Sequence, residues 1–186
     1  MSELEGLLEL QAGFKLQAYA VIGLLALIPL AVVLGLASLA LAVIVIVVVA
    51  IVVVLANLFA LIPIWRGYSE VFGRGSLPAV GAELGLIAAA VGLLSLLASA
   101  LWPPAGDLIN LAAGVLGFVS YVLAYIIGAR QLYLKYEVDS FHTAFILFVL
   151  IFLVIPPIIG IWLMYKGSRD AIRKIEQSGP PRPPSS

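Results

Sequence analysis

The chain has 186 residues, 63% of them hydrophobic and 11% charged, with a mean hydropathy of +1.19. A soluble domain carries about 25% charged residues to coat its core, and ten acidic and ten basic side chains on 19.7 kDa do not supply that coat. The solvent that suits this surface is lipid. Formal net charge is zero, which leaves no basic field to hold nucleic acid. There is no cysteine and a single histidine, His142, so thiolate-held iron–sulfur clusters, cysteine zinc sites, disulfides and a bis-histidine haem within one chain are excluded. A cysteine-free chain rich in Ala, Val, Ile and Leu fits a heat-adapted source.

The N-terminal segment opens on Ser2 and Glu5, a capping-box pair, and Leu4, Leu7, Leu8 and Phe14 cluster on one helical face. This predicts a short interfacial helix on the membrane surface, the alternative being that the segment simply begins the first span. Its start is acidic, and the apolar run after Lys15 is too long for a signal-peptide core, so no cleavable signal is read.

A membrane span needs about 20 apolar residues to cross roughly 30 Å of hydrocarbon. Between Lys15 and Arg66 no residue is charged, a run of about 50 residues. As one helix it would reach about 75 Å, so it is expected to be a hairpin of two spans, 16–34 and 40–64, turning near Gly35-Leu36-Ala37-Ser38. Trp65 to Ser76 reads as a first polar loop. A third span is expected over 77–101, a tight turn at Trp102-Pro103-Pro104-Ala105-Gly106-Asp107, and a fourth span over 108–129. Arg130 to Ser140 reads as a second polar loop before a fifth span, 141–165. Ser168 to Gln177 is expected to continue as a short C-terminal surface helix, and 178–186 to form a Pro/Ser-rich tail too apolar-poor to fold. The expected fold class is therefore an all-α integral membrane bundle of about five transmembrane helices, with residues 1–177 as a single domain. Five basic residues fall on each side of such a bundle, so the positive-inside rule ties and leans only to an N-terminus inside.

Two stripes of small residues stand out. Gly81, Gly85, Ala88, Gly92, Ser95 and Ser99 recur at steps of three and four in span three, and Asn110, Ala113, Gly117, Ser120, Ala124 and Gly128 nearly repeat this in span four. In lipid, helices associate where small residues let backbones approach, so the stripes predict a close-packed antiparallel pair with Ser95, Ser99, Asn110 and Ser120 available for interhelical hydrogen bonds. The functional alternative is that one stripe accepts a lipid or a helix from another subunit. Val43 to Val54 is almost wholly branched and bulky, which suits contact with acyl chains at the periphery.

Glu83 is the one carboxylate expected inside a span, about 9 Å from its start at 1.5 Å per residue. Such a group is a functional candidate because burying its charge is costly; the structural reading is pairing with Arg66 or Arg74. Asn57 is the one strongly polar residue of span two and needs a partner in the bundle. His142 reads as an interfacial residue, Tyr121 and Tyr125 as bundle packing that could line a pocket, and Pro156-Pro157 with Gly160 as a kink in span five. No nucleotide-binding glycine loop, acidic pair at depth, Ser–His–Asp set or metal cluster is present in the sequence, so no catalytic, cofactor-binding or metal residues are assigned.

The opening Glu5-Gly6-Leu7-Leu8-Glu9-Leu10-Gln11-Ala12-Gly13-Phe14, and an ending with an Ile-Pro run, a glycine and Tyr165-Lys166-Gly167-Ser168-Arg169-Asp170-Ala171-Ile172, resemble a family of uncharacterised archaeal multi-pass membrane proteins. The resemblance covers under a fifth of the chain and implies topology and little more.

The expectation is a multi-pass protein of the cell membrane that is not an enzyme and takes no cofactor. It would be an accessory or structural subunit partnered by membrane lipids and by other membrane subunits or itself. The alternative is a small transporter or channel with a polar path near Glu83, Asn57 and Asn110. Convergence of those three residues on one cavity would favour transport; their dispersal would favour the subunit.

Overall fold

In the computed structural model, residues 3–150 and 155–178 are described. The regular structure among them is all helical: α1 (Glu3–Ala37), α2 (Leu39–Phe72), α3 (Leu77–Leu101), α4 (Pro103–Ser120), a π-helical segment (Tyr121–Ile127), α5 (Gly128–Tyr136), α6 (Asp139–Val149) and α7 (Ile155–Ser178). α4, the π-helical segment and α5 follow without a break and form one long rod. Two stretches among the described residues, Leu77–Ser99 and Pro103–Tyr136, are long and apolar enough to cross a membrane.

α1 and α2 form an antiparallel hairpin. Ser38 is the single non-helical residue between them, with extended backbone at φ −161° and ψ 123°. The two rods touch closely at their other end, where a Cβ on Gly13 would lie 2.9 Å from the Ala60 carbonyl and one on Gly67 2.7 Å from the Gly6 carbonyl. Glycine is what allows that approach. α3 and α4 fold back on each other at Trp102, which caps both helices. Pro103 and Pro104 open α4, where a missing N–H leaves no bond unmade.

The expected fifth span, 141–165, is not one rod. α6 stops at Val149, and α7 returns antiparallel beside it: Gly160 packs on the Phe148 ring, Gly167 on the Phe141 ring, and Lys174 reaches back to the Tyr136 carbonyl at 2.9 Å. With 11 residues, α6 rises only about 16 Å before the chain reverses. Hydropathy sees one apolar run over 141–165 and reads one crossing; a glycine facing an aromatic ring at Gly160 and again at Gly167 lets α6 and α7 lie together instead.

The helices also run further than the apolar runs do. The N-terminal segment is no separate interfacial helix but the first turns of α1, with Leu7, Leu10 and Phe14 fully buried. α2 continues through most of the expected first polar loop to Phe72, and α5 through most of the second to Tyr136. The expected C-terminal surface helix is the end of α7, with Ser168, Ala171 and Ile172 in the core. The cause is shared: Leu7, Leu10 and Phe14, then Ile64, Tyr68 and Val71, then Ala129, Leu132 and Tyr136, each hold an apolar stripe at helical spacing among charged neighbours. The expected Ser2 cap and most of the 178–186 tail lie outside the described residues.

The result is a bundle with two unlike halves. In one, which holds the Gly73–Ser76 and Glu137–Val138 connections and the end of α7, the core is enclosed by α1, α2, α3, the π-helical segment, α5, α6 and α7. In the other, around Ser38 and Trp102, apolar side chains face outward; Leu36 is 86% and Leu101 89% exposed. On the branched face of α2, Val43, Ile44, Val48 and Val52 are exposed too. Charge follows the same division. Lys15, Arg66, Arg74, Arg130, Lys135, Lys166, Arg169, Arg173 and Lys174 all lie in the packed half, and Asp107 is the one charged residue of the other half among the described residues.

Lysines close the helix ends of the packed half. Lys135 donates to the Val71 carbonyl at 2.9 Å, in the last turn of α2, and sits 2.9 Å from Glu3 in the first turn of α1. Lys174 takes the Tyr136 carbonyl at the end of α5. Each cation satisfies a carbonyl that has no intrahelical donor and sits at the negative end of a helix dipole.

Candidate functional site: a neutral polar cavity at the waist of the bundle

The small-residue stripes close at both ends and part between them. Gly81 meets the Ala124 backbone, with a Cβ there only 2.5 Å from its nitrogen, and Gly85 meets Ser120; further along, Gly106 packs on Ser99. A Cβ added at Gly92 or at Gly117 would meet nothing within 4 Å. The gap they leave, together with the separation of the two hairpins, makes a cavity of ≈ 370 Å³ bounded by α1, α2, α3, α4, the π-helical segment and α7.

Its polar groups are uncharged. Gln17 on α1 is 5% exposed, and its amide nitrogen donates to Asn57 Oδ1 at 3.3 Å and to the Tyr125 hydroxyl. The Gln17 Oε1 is buried without a hydrogen-bond partner. Tyr121 stacks on Tyr125 with ring centroids 5.4 Å apart, and Phe148 stands edge-on to both. Tyr121 also donates to the Phe148 carbonyl at 2.9 Å, satisfying a carbonyl in the last turn of α6.

The π-helical segment explains how two tyrosines come to face this space. The Gly128 N–H bonds the Leu123 and Tyr125 carbonyls rather than that of Ala124, its α-helical partner, and the Ala124 carbonyl accepts the buried Tyr68 hydroxyl at 2.7 Å. The wider turn changes the register between α4 and α5. Gly128, the last member of the span-four stripe, consequently packs on Tyr68 of α2 and not on α3. π-helical turns inside α-helices recur at functional sites because they re-aim side chains in this way.

Of the three residues expected to mark a polar path, only Asn57 lies at the cavity. Glu83 and Asn110 are exposed on the outside of α3 and α4. Glu83 makes no ion pair with Arg66 or Arg74 among the described residues; the pairs there are Lys135–Glu3 and Lys174–Glu137. The expected interhelical bond from Ser95 is replaced by one to its own helix, at the Gly92 carbonyl, 2.7 Å away. Ala88, Ala113, Ser120 and Ala124 are buried in the stripe, while Ser99 is exposed beside Gly106. His142 is exposed and rests against the Tyr133 ring. No group of three or more His, Asp or Glu side chains suited to a metal occurs among the described residues.

Sequence reasoning missed Gln17. The signal was there: Leu10, Phe14 and Gln17 are spaced by four and three, which puts the amide on the face that carries the core. A larger groove of ≈ 600 Å³ on α1 and α2 carries Glu5, Glu9, Glu70, Arg66 and Arg74, and so mixes both signs.

No protein-family model, curated protein or solved structure matches the chain.

Proposed function

We propose that this chain is a non-catalytic, multi-pass subunit of the cell membrane that acts by associating with a second copy or with another membrane subunit. In this reading α1, α2, α3 and the α4–α5 rod cross the bilayer, and the α6–α7 hairpin enters from one face and returns to it. Nine basic residues in the packed half and none among the described residues of the other support a cytoplasmic packed half under the positive-inside rule. Both described ends of the chain then lie on the cytoplasmic side.

The observation that carries the subunit reading is Asn110. Its carboxamide is exposed on the outer face of α4 among the exposed Leu108, Leu111 and Phe118. A carboxamide facing hydrocarbon gains about 0.6–2 kcal/mol by pairing with a group on a neighbouring helix. The same geometry supplies no shared site for acid–base work among the described residues, since Glu83 is exposed on the outside of α3 and His142 is exposed in the first turn of α6 against the Tyr133 ring.

The second reading, a small transporter or channel, draws its support from the cavity at Gln17 and Asn57. One experiment separates the two. The chain is purified in mild detergent, its mass measured by light scattering, and the same preparation reconstituted in liposomes. The subunit reading expects a dimer or a stoichiometric partner that is lost in Asn110→Leu, with no ion flux. A partner-free monomer would contradict it, and a flux abolished by Asn57→Leu would promote the transporter.

A further inference from the structure

We infer that the outer face of α7 is a binding site for the headgroup of an anionic phospholipid, held by Trp162, Lys166, Arg169 and Arg173. The inference rests on the membrane arrangement proposed above, in which α7 leaves the bilayer at the packed half, and goes beyond it by naming a ligand.

The sequence of α7 sets the face. Trp162, Lys166, Arg169 and Arg173 recur at steps of four, three and four, which places them on one side of the helix. Met164, Ser168 and Ala171 hold the opposite side and are fully buried. Trp162, Lys166 and Arg173 are exposed, and Arg169 is half-buried.

The same face carries a level mark. Residues 155–165 contain no charge, and Lys166 is the first charged residue of α7. Trp162 and Tyr165 stand just before it, with ring centroids 5.5 Å apart. Amphipathic rings gather at headgroup level, so α7 passes from hydrocarbon to water at this point. The headgroup layer is about 5–7 Å deep on each side of a bilayer. Along the helix, Arg169 lies about 4.5 Å beyond Lys166 and Arg173 about 10 Å beyond it. Lys166 and Arg169 therefore fall among the lipid phosphates, with Arg173 at their outer edge.

These three cations close no contact within the fold. The ion pairs among the described residues are Lys135–Glu3 and Lys174–Glu137, and the row enters neither. Arg66 and Arg74, by contrast, share their groove with Glu5, Glu9 and Glu70. From Lys166 to Gln177 the cations Lys166, Arg169, Arg173 and Lys174 stand against two acids, Asp170 and Glu176, which leaves an excess of positive charge where the phosphates lie. A guanidinium matches a phosphate through two parallel hydrogen bonds, and an ammonium adds a point charge beside it. A lipid with a net negative head is favoured over a zwitterionic one, whose own ammonium the row would repel.

The test uses the full chain with Trp65→Phe and Trp102→Phe, which leaves Trp162 as its one tryptophan. It is reconstituted in phosphatidylcholine bilayers that carry either phosphatidylglycerol or phosphatidylcholine brominated close to the headgroup. Quenching of the Trp162 fluorescence then gives the relative affinity of the two lipids at this face. Phosphatidylglycerol is expected to bind at least about tenfold more tightly, since two cations in the headgroup layer contribute about fivefold each. Lys166→Gln combined with Arg169→Gln should remove the preference, while Arg74→Gln, in the mixed groove, should leave it unchanged. Sodium phosphate, matched in ionic strength to a sodium chloride control, separates the lipid from a free anion and is expected to change nothing beyond that control. If the tryptophan background does not fold, native mass spectrometry makes the same comparison, by retention of either lipid on the delipidated parent chain and on its Lys166→Gln, Arg169→Gln variant. Equal quenching by the two lipids, a preference that survives the double substitution, or one that phosphate abolishes and chloride does not would each overturn the inference and leave the membrane arrangement standing. No quenching by either lipid would overturn both, because it takes this face of α7 away from the bilayer.

Discussion

Glycine does opposite work at different points along one stripe of α3. At Gly81 a Cβ would stand 2.5 Å from the Ala124 nitrogen and 2.5 Å from the Leu123 Cβ, so backbone must move to admit it. Gly81→Leu is expected to destabilise the chain by about 1–3 kcal/mol, the usual cost of overpacking. At Gly92 the position is open, and leucine is the better helix former by several tenths of a kcal/mol. Gly92→Leu should therefore be neutral or slightly stabilising. Thermal unfolding of the two variants in one detergent checks the contrast, and equal losses at both positions would contradict it. Sequence spacing treats these two glycines as equivalent, because both belong to the same small-residue face. Only the geometry across the gap distinguishes them. Asn57 was legible as a polar residue in need of a partner, and that partner is Gln17, whose place on the core face of α1 is visible once Leu10 and Phe14 are read with it. Glu83 and Asn110 drew attention by residue type, which carries no information on the direction a side chain takes.

Among the elements, the first turn of α1 shows how charge and packing combine at a helix end. Glu3 takes a hydrogen bond from the Lys135 ammonium at 2.9 Å and from the Tyr136 hydroxyl at 2.7 Å. Chiefly the Lys135 bond, and next the Tyr136 bond, hold its carboxyl below the usual carboxylate range. A carboxyl whose native value is depressed stabilises the fold fully above its ordinary value of 4.5, and that stabilisation is lost as pH falls through the lower native value. The Glu3 side chain is 47% exposed, so solvent screening keeps the tether to about 0.2–1 kcal/mol. Glu3→Gln should melt below the parent chain at pH 7, and the two curves should converge as the pH is taken below 4.5. A gap that persists unchanged at pH 3 would contradict the tether. Hydropathy located the two long hairpins, and the turns at Ser38 and Trp102 fall where the apolar runs are interrupted. It placed the start of α3 at Leu77 but missed the start of α1 and the ends of α2 and α5 in the charged half, because charge density marks where an apolar surface ends, whereas helices there continue for as long as one face stays apolar. It failed again at α6 and α7, where the length of an apolar run cannot tell a crossing from a hairpin.

The whole molecule is organised by the separation of its two halves, one with a closed core and charged ends, the other apolar on the outside. In the proposed arrangement this polarity decides orientation, which the bare sequence leaves tied, because the reversal between α6 and α7 returns Lys166, Arg169, Arg173 and Lys174 to the side of Lys15, Arg66, Arg74, Arg130 and Lys135. Five crossings would put Asp107 and Gln177 on the same face of the membrane; four crossings and a returning hairpin put them on opposite faces. The chain contains no cysteine, so single cysteines can be introduced without a background. Asp107, Arg74 and Gln177 are all exposed. Asp107→Cys, Arg74→Cys and Gln177→Cys chains in sealed, oriented vesicles are treated with a membrane-impermeant maleimide, before and after permeabilisation. The account predicts that Asp107→Cys labels from the outside at once, while Arg74→Cys and Gln177→Cys label only after the vesicles are opened. Labelling of Gln177→Cys from the same side as Asp107→Cys would contradict it.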